Sequence, residues 1–251
     1  MSPIILFEDK HLIVCHKEAG IPVQSARLGQ KDMESMLNNY LMEKGEAVCV
    51  EAVHRLDQPV EGIIVFAKTK KAASELGKQL QQNAMHKIYR AVCCVKKQDW
   101  KTKIEKNPEA KSETESKAAV TEAEYMLQDY LIKDGRTNTS SVTSAQIKAA
   151  KKAELSFRVL KESNDGTYIV AEIHLKTGRH HQIRVQMSHA GLPLYGDQKY
   201  HENWKEYLTE TDQGKRNVAL GLCAVSLEFR HPANGKLMRF EVEPRAEVFS
   251  V

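Results

Sequence analysis

One carboxylate stands where a candidate strand begins, a position that suits nucleophilic or acid–base chemistry. Asp57 ends the segment HRLD (54–57), a turn containing Pro59 follows, and an apolar run over 63–67 comes directly after Gly62. A carboxylate held at the rigid start of a strand is a common place for a nucleophile or a general base. On spacing alone, however, an Asp that only caps the turn is the more frequent case.

A second segment, more than a hundred residues later, supplies the cations that such a carboxylate needs. It reads KTGRHHQIR over 176–184, and turn residues follow over 191–200. A partly buried Asp resists ionisation unless a cation stands close, and the planar arginine fork favours the charged form and fixes its direction. Arg179 and Arg184 are therefore both candidate partners, against the alternative that each is a solvated surface arginine.

Length and composition allow one sizeable core and exclude several classes of protein. The chain has 251 residues, 41% of them hydrophobic, which permits one domain or two. Its net charge of +4 is compatible with a polyanionic partner. Five cysteines without a CxxC pair support neither a disulfide framework nor a zinc ribbon. We find no signal peptide and no apolar run long enough for a membrane span, and we expect a cytoplasmic protein.

Hydrophobic periodicity predicts strands and hairpins interrupted by a few helices. Predicted helices cover 31–43, 70–82 and 180–190, the second capped by Thr69. Predicted strands cover 4–7, 11–15, 62–68, 87–95, 153–160, 168–175, 220–230 and 236–243. Strands outnumber helices and hairpins are frequent, which favours an α+β fold on a largely antiparallel sheet.

Residues 96–122 differ in character from the rest of the chain. Lys, Glu, Ser and Thr dominate there, and apolar residues almost vanish. Such a segment cannot bury enough surface to offset its ordering entropy. We interpret it as a polar surface insertion that is neither catalytic nor a domain linker.

The two segments together resemble the RluA-type pseudouridine synthases. That family carries an HRLD motif and, later, a TGRxHQIR…GxPxxGDxxY motif, which correspond here to 54–57 and 177–200. The resemblance implies one catalytic domain over 1–251, with flanking helices and a central cleft on a largely antiparallel mixed sheet. It also leads us to expect no N-terminal S4-type RNA-binding domain.

The family isomerises uridine to pseudouridine in ribosomal or transfer RNA, without cofactor or metal. By this resemblance Asp57 is the nucleophile, and the arginine of the HQIR motif, Arg184, is its partner. Tyr89, in the family's KxYxA strand, packs against the target uracil, although a core tyrosine is the alternative on an alternating strand. Whether Asp57 attacks the sugar or the uracil ring is left open.

Five further residues are implied to contact RNA: Arg55, Lys87, Arg179, His181 and Gln182. Arg55 enters the space that the flipped base leaves or, with equal weight, bonds a backbone carbonyl in the turn. Lys87 holds a phosphate or pairs with an acid. We reject a metal site at the adjacent pair His180 and His181, because neighbours on a helix point apart.

The chain departs from the family beside the nucleophile, where Val60 and Glu61 replace the usual Thr-Ser. This departure keeps open a second hypothesis, a catalytically weak or silent RNA-binding protein on the same scaffold. A third hypothesis, a glycoside or nucleoside hydrolase, requires a second carboxylate in the site, for which Glu61 is the nearest candidate. RNA is the expected partner, with no membrane and no metal, and we expect a monomer.

Overall fold

The computed structural model describes residues 2–25, 29–47, 49–95, 100–104, 123–215 and 218–250. The chain divides into two compact units. The first comprises Met1–Ile88 and Cys223–Pro244, and the second comprises Tyr89–Leu222 and Arg245–Val251. Each unit is therefore built from two stretches of chain.

The regular elements of the described residues are, in chain order, β1 (Ile4–Glu8), β2 (Leu12–Lys17), α1 (Met33–Glu43), β3 (Glu51–Ala52), β4 (Glu61–Ala67), α2 (Lys70–Gln81), β5 (His86–Cys94), α3 (Trp100–Lys103), β6 (Glu124–Asp134), β7 (Thr139–Thr143), β8 (Lys151–Glu162), β9 (Tyr168–Leu175), α4 (Gln182–His189), β10 (Leu222–Arg230) and β11 (Leu237–Glu241). Two short 3-10 helices cover Trp204–Tyr207 and Glu247–Ser250. Strands predominate over helices, as the sequence predicts.

The first unit is organised around β4, in which all seven residues are buried. β2 and β3 pair with it in antiparallel fashion, β1 extends the sheet beyond β2, and β11 pairs with β10. β10 itself runs parallel to β4, so the sheet is mixed. The β-branched residues Ile63, Ile64 and Val65 suit a strand that is covered on both faces.

Two capped helices accompany this sheet. Asp32 caps α1 in a capping box with Ser35, and Thr69 caps α2 by accepting the amide of Ala72 at 3.1 Å. Side chains of α2, β2, β4 and β10, together with Met85 just before β5, form one core cluster, whose buried members are Leu12, Val14, Ile63, Val65, Ala67, Ala72, Leu76, Met85, Leu227 and Phe229. This core fixes the start of β4, which follows the turn that contains Asp57.

The second unit is a sheet in the order β5-β9-β8-β6-β7. β9, β8, β6 and β7 pair in antiparallel fashion, with one irregularity in the β8–β9 register at Val159 to Lys161. A cluster of Leu131, Ala153 and Val185 joins α4 to β6 and β8. The start of α4 is therefore held against the sheet, and it carries Gln182, Ile183 and Arg184, the last three residues of the KTGRHHQIR segment.

The predicted hairpins and helices are confirmed, with boundary shifts of a few residues. The strand pair β6–β7 was not predicted. The structure also corrects the prediction of a surface insertion over 96–122 at Trp100, which is only 4% exposed and packs in tilted contact with the rings of Tyr125 and Phe157. Positions 96–99 and 105–122 of that insertion lie outside the described residues.

Among the residues that the structure describes, no helix is both long enough and apolar enough to cross a bilayer. In the described part of the chain the longest helix is α2, with 12 residues.

Gly62 is required where β4 meets β10. Its φ is +122°, and a Cβ atom there would lie 2.4 Å from the backbone oxygen of Ala224. We expect Gly62→Ala to lower the free energy of unfolding by roughly 2 kcal/mol or more. Gly77→Ala, inside α2 with nothing within 4 Å, is the matched control and should raise it by about 0.5–1 kcal/mol. Urea unfolding measures both, and equal effects would contradict the close approach of β10.

Candidate active site

Asp57 lies in a turn directly before β4. Its carbonyl accepts the amide of Val60 at 3.0 Å, and its side chain is half-buried. β4 begins one residue after Val60, so the rigid core strand sets where the turn ends. The sequence predicted a carboxylate just before a buried strand, and Asp57 of the first unit lies in that position.

Lys17, which the sequence analysis passed over, anchors this turn. Its side chain is 0% exposed, and its ammonium donates to the carbonyls of Ile21 at 2.8 Å, Glu18 at 3.1 Å and Gln58 at 3.1 Å. A second link joins the same two segments, because the Gly20 amide also donates to the Gln58 carbonyl, at 2.9 Å. The residue next to Asp57 is thus held by two donors from the 17–21 segment.

His54 opens the first motif and has a structural role. Its ring is buried, and Nε2 accepts the amide of Val65 at 3.3 Å, which places the proton on Nδ1. Burial and the nearby charge of Lys87 hold the pKa of His54 well below its ordinary value. His54 therefore stays neutral. Its hydrogen bond to Val65 ties the HRLD segment to β4 next to the two residues that pair with β3.

Val60 and Glu61 are both buried, at 3% and 4% exposure. The Oε2 atom of Glu61 lies 3.5 Å from Nε2 of His16, whose side chain is also buried. A hydrolase of the two-carboxylate type needs its second carboxylate in contact with substrate or water. The burial of Glu61 argues against that hypothesis.

Arg184 lies in the second unit, near the start of α4, and is paired there with Asp197. Nε donates to Oδ2 at 2.8 Å and Nη2 to Oδ1 at 2.7 Å, a bidentate pair in which the side chains are 5% and 0% exposed. Asp197 also accepts the amides of Lys199 and Tyr200. Residues 191–200 were predicted only as turn residues, whereas Asp197 in that turn fixes the direction of the motif arginine.

Gln182 is used inside the protein. Its Nε2 donates to the carbonyl of Glu154 at 3.0 Å, and its Oε1 accepts from the Thr177 hydroxyl at 2.8 Å and from the Arg179 amide at 2.9 Å. The side chain is buried and holds the start of α4 against β8. Its placement does not support the predicted contact between Gln182 and RNA.

His181 precedes α4 in a left-handed conformation, with φ of 54°. It is buried, and its Nδ1 lies 2.6 Å from the Tyr200 hydroxyl. The rings of His180 and His181 stack at 3.7 Å, so the argument that these neighbours point apart is wrong. The helix begins only at Gln182, and the left-handed turn brings the two rings together.

Within the described ranges, no group of three or more His, Cys, Asp or Glu residues is arranged to hold an ion. His180 instead contacts Ser140 through Nδ1 at 2.8 Å and Asn138 through Nε2 at 3.1 Å. Both ring nitrogens of His180 are thus engaged by protein atoms.

The remaining predicted site residues divide between the units. Arg55 is exposed and Lys87 half-buried, both in the first unit with Asp57. Burial lowers the pKa of Lys87 to about 8. Tyr89 is a buried residue of β5 in the second unit, and Arg179 is exposed there, with its Nε donating to the Lys152 carbonyl at 2.8 Å.

Comparisons with known proteins agree on one family. The family model described as RNA pseudouridylate synthase matches residues 11–189, which include every residue predicted for the site. The ribosomal large subunit pseudouridine synthase D of Pseudomonas aeruginosa is 32% identical over 94% of this chain and 67% of its own length. The synthase C of Salmonella typhimurium is 27% identical over 96% and 66%. The chain thus spans about two thirds of the length of these relatives.

A solved structure agrees on the fold. The human RNA pseudouridylate synthase domain containing 4 superimposes with a TM-score of 0.71 at 21% identity, over 96% of this chain and 89% of that one. The human domain containing 1 gives a TM-score of 0.66 at 18% identity, over 97% and 84%. These likenesses confirm the α+β fold class that the sequence predicts.

The Arg184–Asp197 pair provides a test of how the motif arginine is held. Asp197→Ala leaves a buried guanidinium without its carboxylate, and we expect it to lower the free energy of unfolding by about 3–5 kcal/mol. Glu162→Ala removes the acid of the exposed Lys101–Glu162 pair in the same unit and should cost less than about 1 kcal/mol. Denaturant titration compares the two, and similar losses would show that Asp197 does not hold Arg184.

Proposed function

The chain belongs to the RNA pseudouridylate synthase family, and we propose that it isomerises specific uridines of structured RNA to pseudouridine through Asp57. The observation that carries this proposal is the extent of the family match. It covers 11–189, and so includes both the Asp57 turn and the Arg184 helix. The expectation of a single catalytic domain built from both units is part of the same proposal.

The reaction exchanges one bond of the base for another. The bond between the uracil nitrogen and the anomeric carbon breaks, the base rotates, and a ring carbon bonds to the sugar. The proton on that carbon leaves to solvent while the freed nitrogen gains one, so the product is an isomer. An ionised carboxylate is suited to attack either the electron-poor anomeric carbon or the uracil ring. Asp57, in the turn before β4, is the carboxylate that we propose for this step.

Arg184 remains our proposed partner for Asp57 on the strength of the motif match. The pair with Asp197 supports a catalytic use of this arginine, because a guanidinium fixed on one edge keeps its direction without further ordering. Arg179, exposed and bound to the Lys152 carbonyl, fits better as a contact to a phosphate. Tyr89 is proposed as the platform for the extruded base.

The proposed substrate is ribosomal or transfer RNA, and the two relatives described above are both named for the large ribosomal subunit. A net charge of only +4 leaves phosphate binding to local cations, among which Arg55, Lys87 and Arg179 are proposed. Extruding a uridine costs least where it is already unstacked, so a uridine in a loop or bulge is the expected target.

The competing hypothesis is a weak or silent RNA-binding protein, and one observation favours it. Glu61 is a buried acid four residues after Asp57. The family resemblance leads one to expect the small hydroxyl residues Thr-Ser where this chain has Val60 and Glu61. An RNA-binding protein of this kind would bind RNA as the synthase does but release no hydrogen from the uracil ring.

We expect Asp57→Asn to abolish isomerisation while RNA binding and melting temperature stay near wild type, because the substitution keeps size and removes the nucleophile. Release of tritium from RNA labelled at the uracil ring carbon measures turnover. Asp134→Asn, at the exposed end of β6 in the second unit, is the matched control and should release tritium at the wild-type rate. Residual activity within about tenfold of wild type, a barrier change of only ~1.4 kcal/mol, would refute the assignment of Asp57. A wild-type chain that binds RNA and releases nothing would establish the competing hypothesis.

A further inference from the structure

The aromatic ring of Tyr200 lies next to the guanidinium of Arg184. The central guanidinium carbon, Cζ, lies 5.1 Å from the centre of the ring and over its face. An arginine at this distance is attracted by the ring quadrupole, and its planar group also stacks on flat aromatic surfaces. The attraction is larger where water is excluded, and Arg184 is buried. The ring therefore acts on the motif arginine directly.

Asp197 and Tyr200 restrict different motions of that guanidinium. The two hydrogen bonds to Asp197 fix one edge of the group, but they leave it able to tilt out of the plane of the carboxylate. A ring face against the guanidinium opposes such a tilt. Edge and plane together define the direction in which Arg184 presents its other N–H groups.

Tyr200 is itself anchored at both ends. Its hydroxyl accepts the backbone amide of Ser140, in β7, at 2.9 Å and lies 2.6 Å from Nδ1 of His181. Its backbone amide donates to Oδ1 of Asp197 at 3.2 Å, and its carbonyl accepts the hydroxyl of Ser188 in α4. The half-buried ring also packs against the core cluster of Leu131, Ala153 and Val185. The position of the ring is thus set by β7, by α4 and by the turn that carries Asp197.

We propose that Tyr200 is a positioning residue for Arg184, with its ring fixing the plane of the guanidinium while Asp197 fixes the edge. This inference rests on the proposed role of Arg184 as the partner of Asp57. An arginine that is already held in edge and plane has little freedom left to lose when RNA binds, and small displacements of a catalytic group cost much of the rate. The last residue of the second motif thereby acquires a use beyond the turn.

A ring that only fills space would contribute to stability alone, and Tyr168 offers that comparison in the same unit. Tyr168 is also half-buried, its hydroxyl donates to the carbonyl of Tyr207, and its ring contacts the ring of Tyr195 edge-on. It packs against a core cluster of its own, formed by Val92, Cys94, Val170, Tyr195 and Val248. Loss of either ring should lower Tm by a similar amount, whereas only loss of the Tyr200 ring should disturb Arg184.

The first experiment needs no activity. The full chain is labelled with 15N, and the Nε–Hε signal of Arg184 is assigned by its loss in Arg184→Lys. We expect Tyr200→Leu to remove the upfield ring-current shift of Hε and to speed its exchange with solvent about tenfold. Tyr200→Phe, which keeps the ring, should retain the upfield shift, and Tyr168→Leu should change neither quantity. An Arg184 signal that is the same in Tyr200→Leu and in wild type would overturn the inference.

The second experiment separates kcat from KM in the tritium-release assay. Tyr200→Leu should lower kcat about a hundredfold at a temperature well below its Tm, because a misdirected Arg184 stabilises the transition state less. KM for RNA should stay at the wild-type value. Tyr200→Phe loses only the hydroxyl contacts and should keep kcat within about tenfold of wild type. Tyr168→Leu should leave kcat unchanged.

Three kinetic results would overturn the inference. The first is a wild-type kcat in Tyr200→Leu, and the second is a rise in KM with kcat unchanged, which would make Tyr200 a contact to RNA. The third is an equal loss of kcat in Tyr200→Leu and Tyr168→Leu, which would show that any loss of packing in this unit slows turnover. If Tyr200→Leu does not fold, Tyr200→Met, whose unbranched side chain fills irregular space, takes its place in both experiments.

Failure of the two proposals is distinguishable. A wild-type chain that releases no tritium from any RNA defeats the proposed function and, with it, the positioning role, whatever the Arg184 signal shows. An active wild-type chain in which Tyr200→Leu changes neither the Arg184 signal nor kcat defeats only the inference about Tyr200.

Discussion

The buried ammonium of Lys17 is the interaction on which the geometry of the Asp57 turn depends. It ties the 17–21 segment to the carbonyl of Gln58, and the turn then enters β4, a strand buried along its whole length. Gly62 lets β10 approach that strand closely, since any side chain there would meet the backbone of Ala224. A carboxylate placed by such contacts has little freedom left to lose when a substrate binds.

The second unit uses a related arrangement for its arginine. Asp197 accepts two hydrogen bonds from one edge of the Arg184 guanidinium and is itself held by the amides of Lys199 and Tyr200. Gln182 then fixes the start of the same helix against Glu154. In both units, then, a charged group with a proposed role in chemistry is oriented by buried partners that contribute no chemistry themselves. Preorganisation of this kind is the usual source of electrostatic catalysis.

The sequence was sufficient for the parts of the molecule that depend on local pattern. The α2 helix shows helical spacing and a Thr69 cap, and the β8–β9 hairpin alternates around a tight turn, so both were predicted. β6 was missed because the alternation of apolar and polar residues is interrupted in the middle of the strand. Asp129 takes a position on the face that is otherwise apolar, and Tyr130 takes one on the other face. Trp100 was wrongly assigned to a surface insertion because the segment around it is polar in composition. One buried aromatic residue does not change that average.

The site was predictable only where a motif names the residue. Asp57 and Arg184 were found in this way, but the partners that hold them were not. Lys17 reads as the polar end of an apolar strand, and its contact to Gln58 spans 41 residues of sequence. Asp197 reads as a turn residue, and its contact to Arg184 appears only when the turn folds back on α4. Such long-range contacts leave no periodic signal in a single sequence.

The central claim is that this chain converts particular uridines of cellular RNA through Asp57. The most direct measurement is a map of pseudouridines at single-nucleotide resolution in RNA from cells that carry the gene, cells that lack it, and deleted cells that express either the wild-type or the Asp57→Asn chain. The account predicts that one or a few positions, in loops or bulges, lose the modification on deletion and regain it only with the wild-type chain. Identical maps with and without the gene, or restoration by Asp57→Asn, would contradict it.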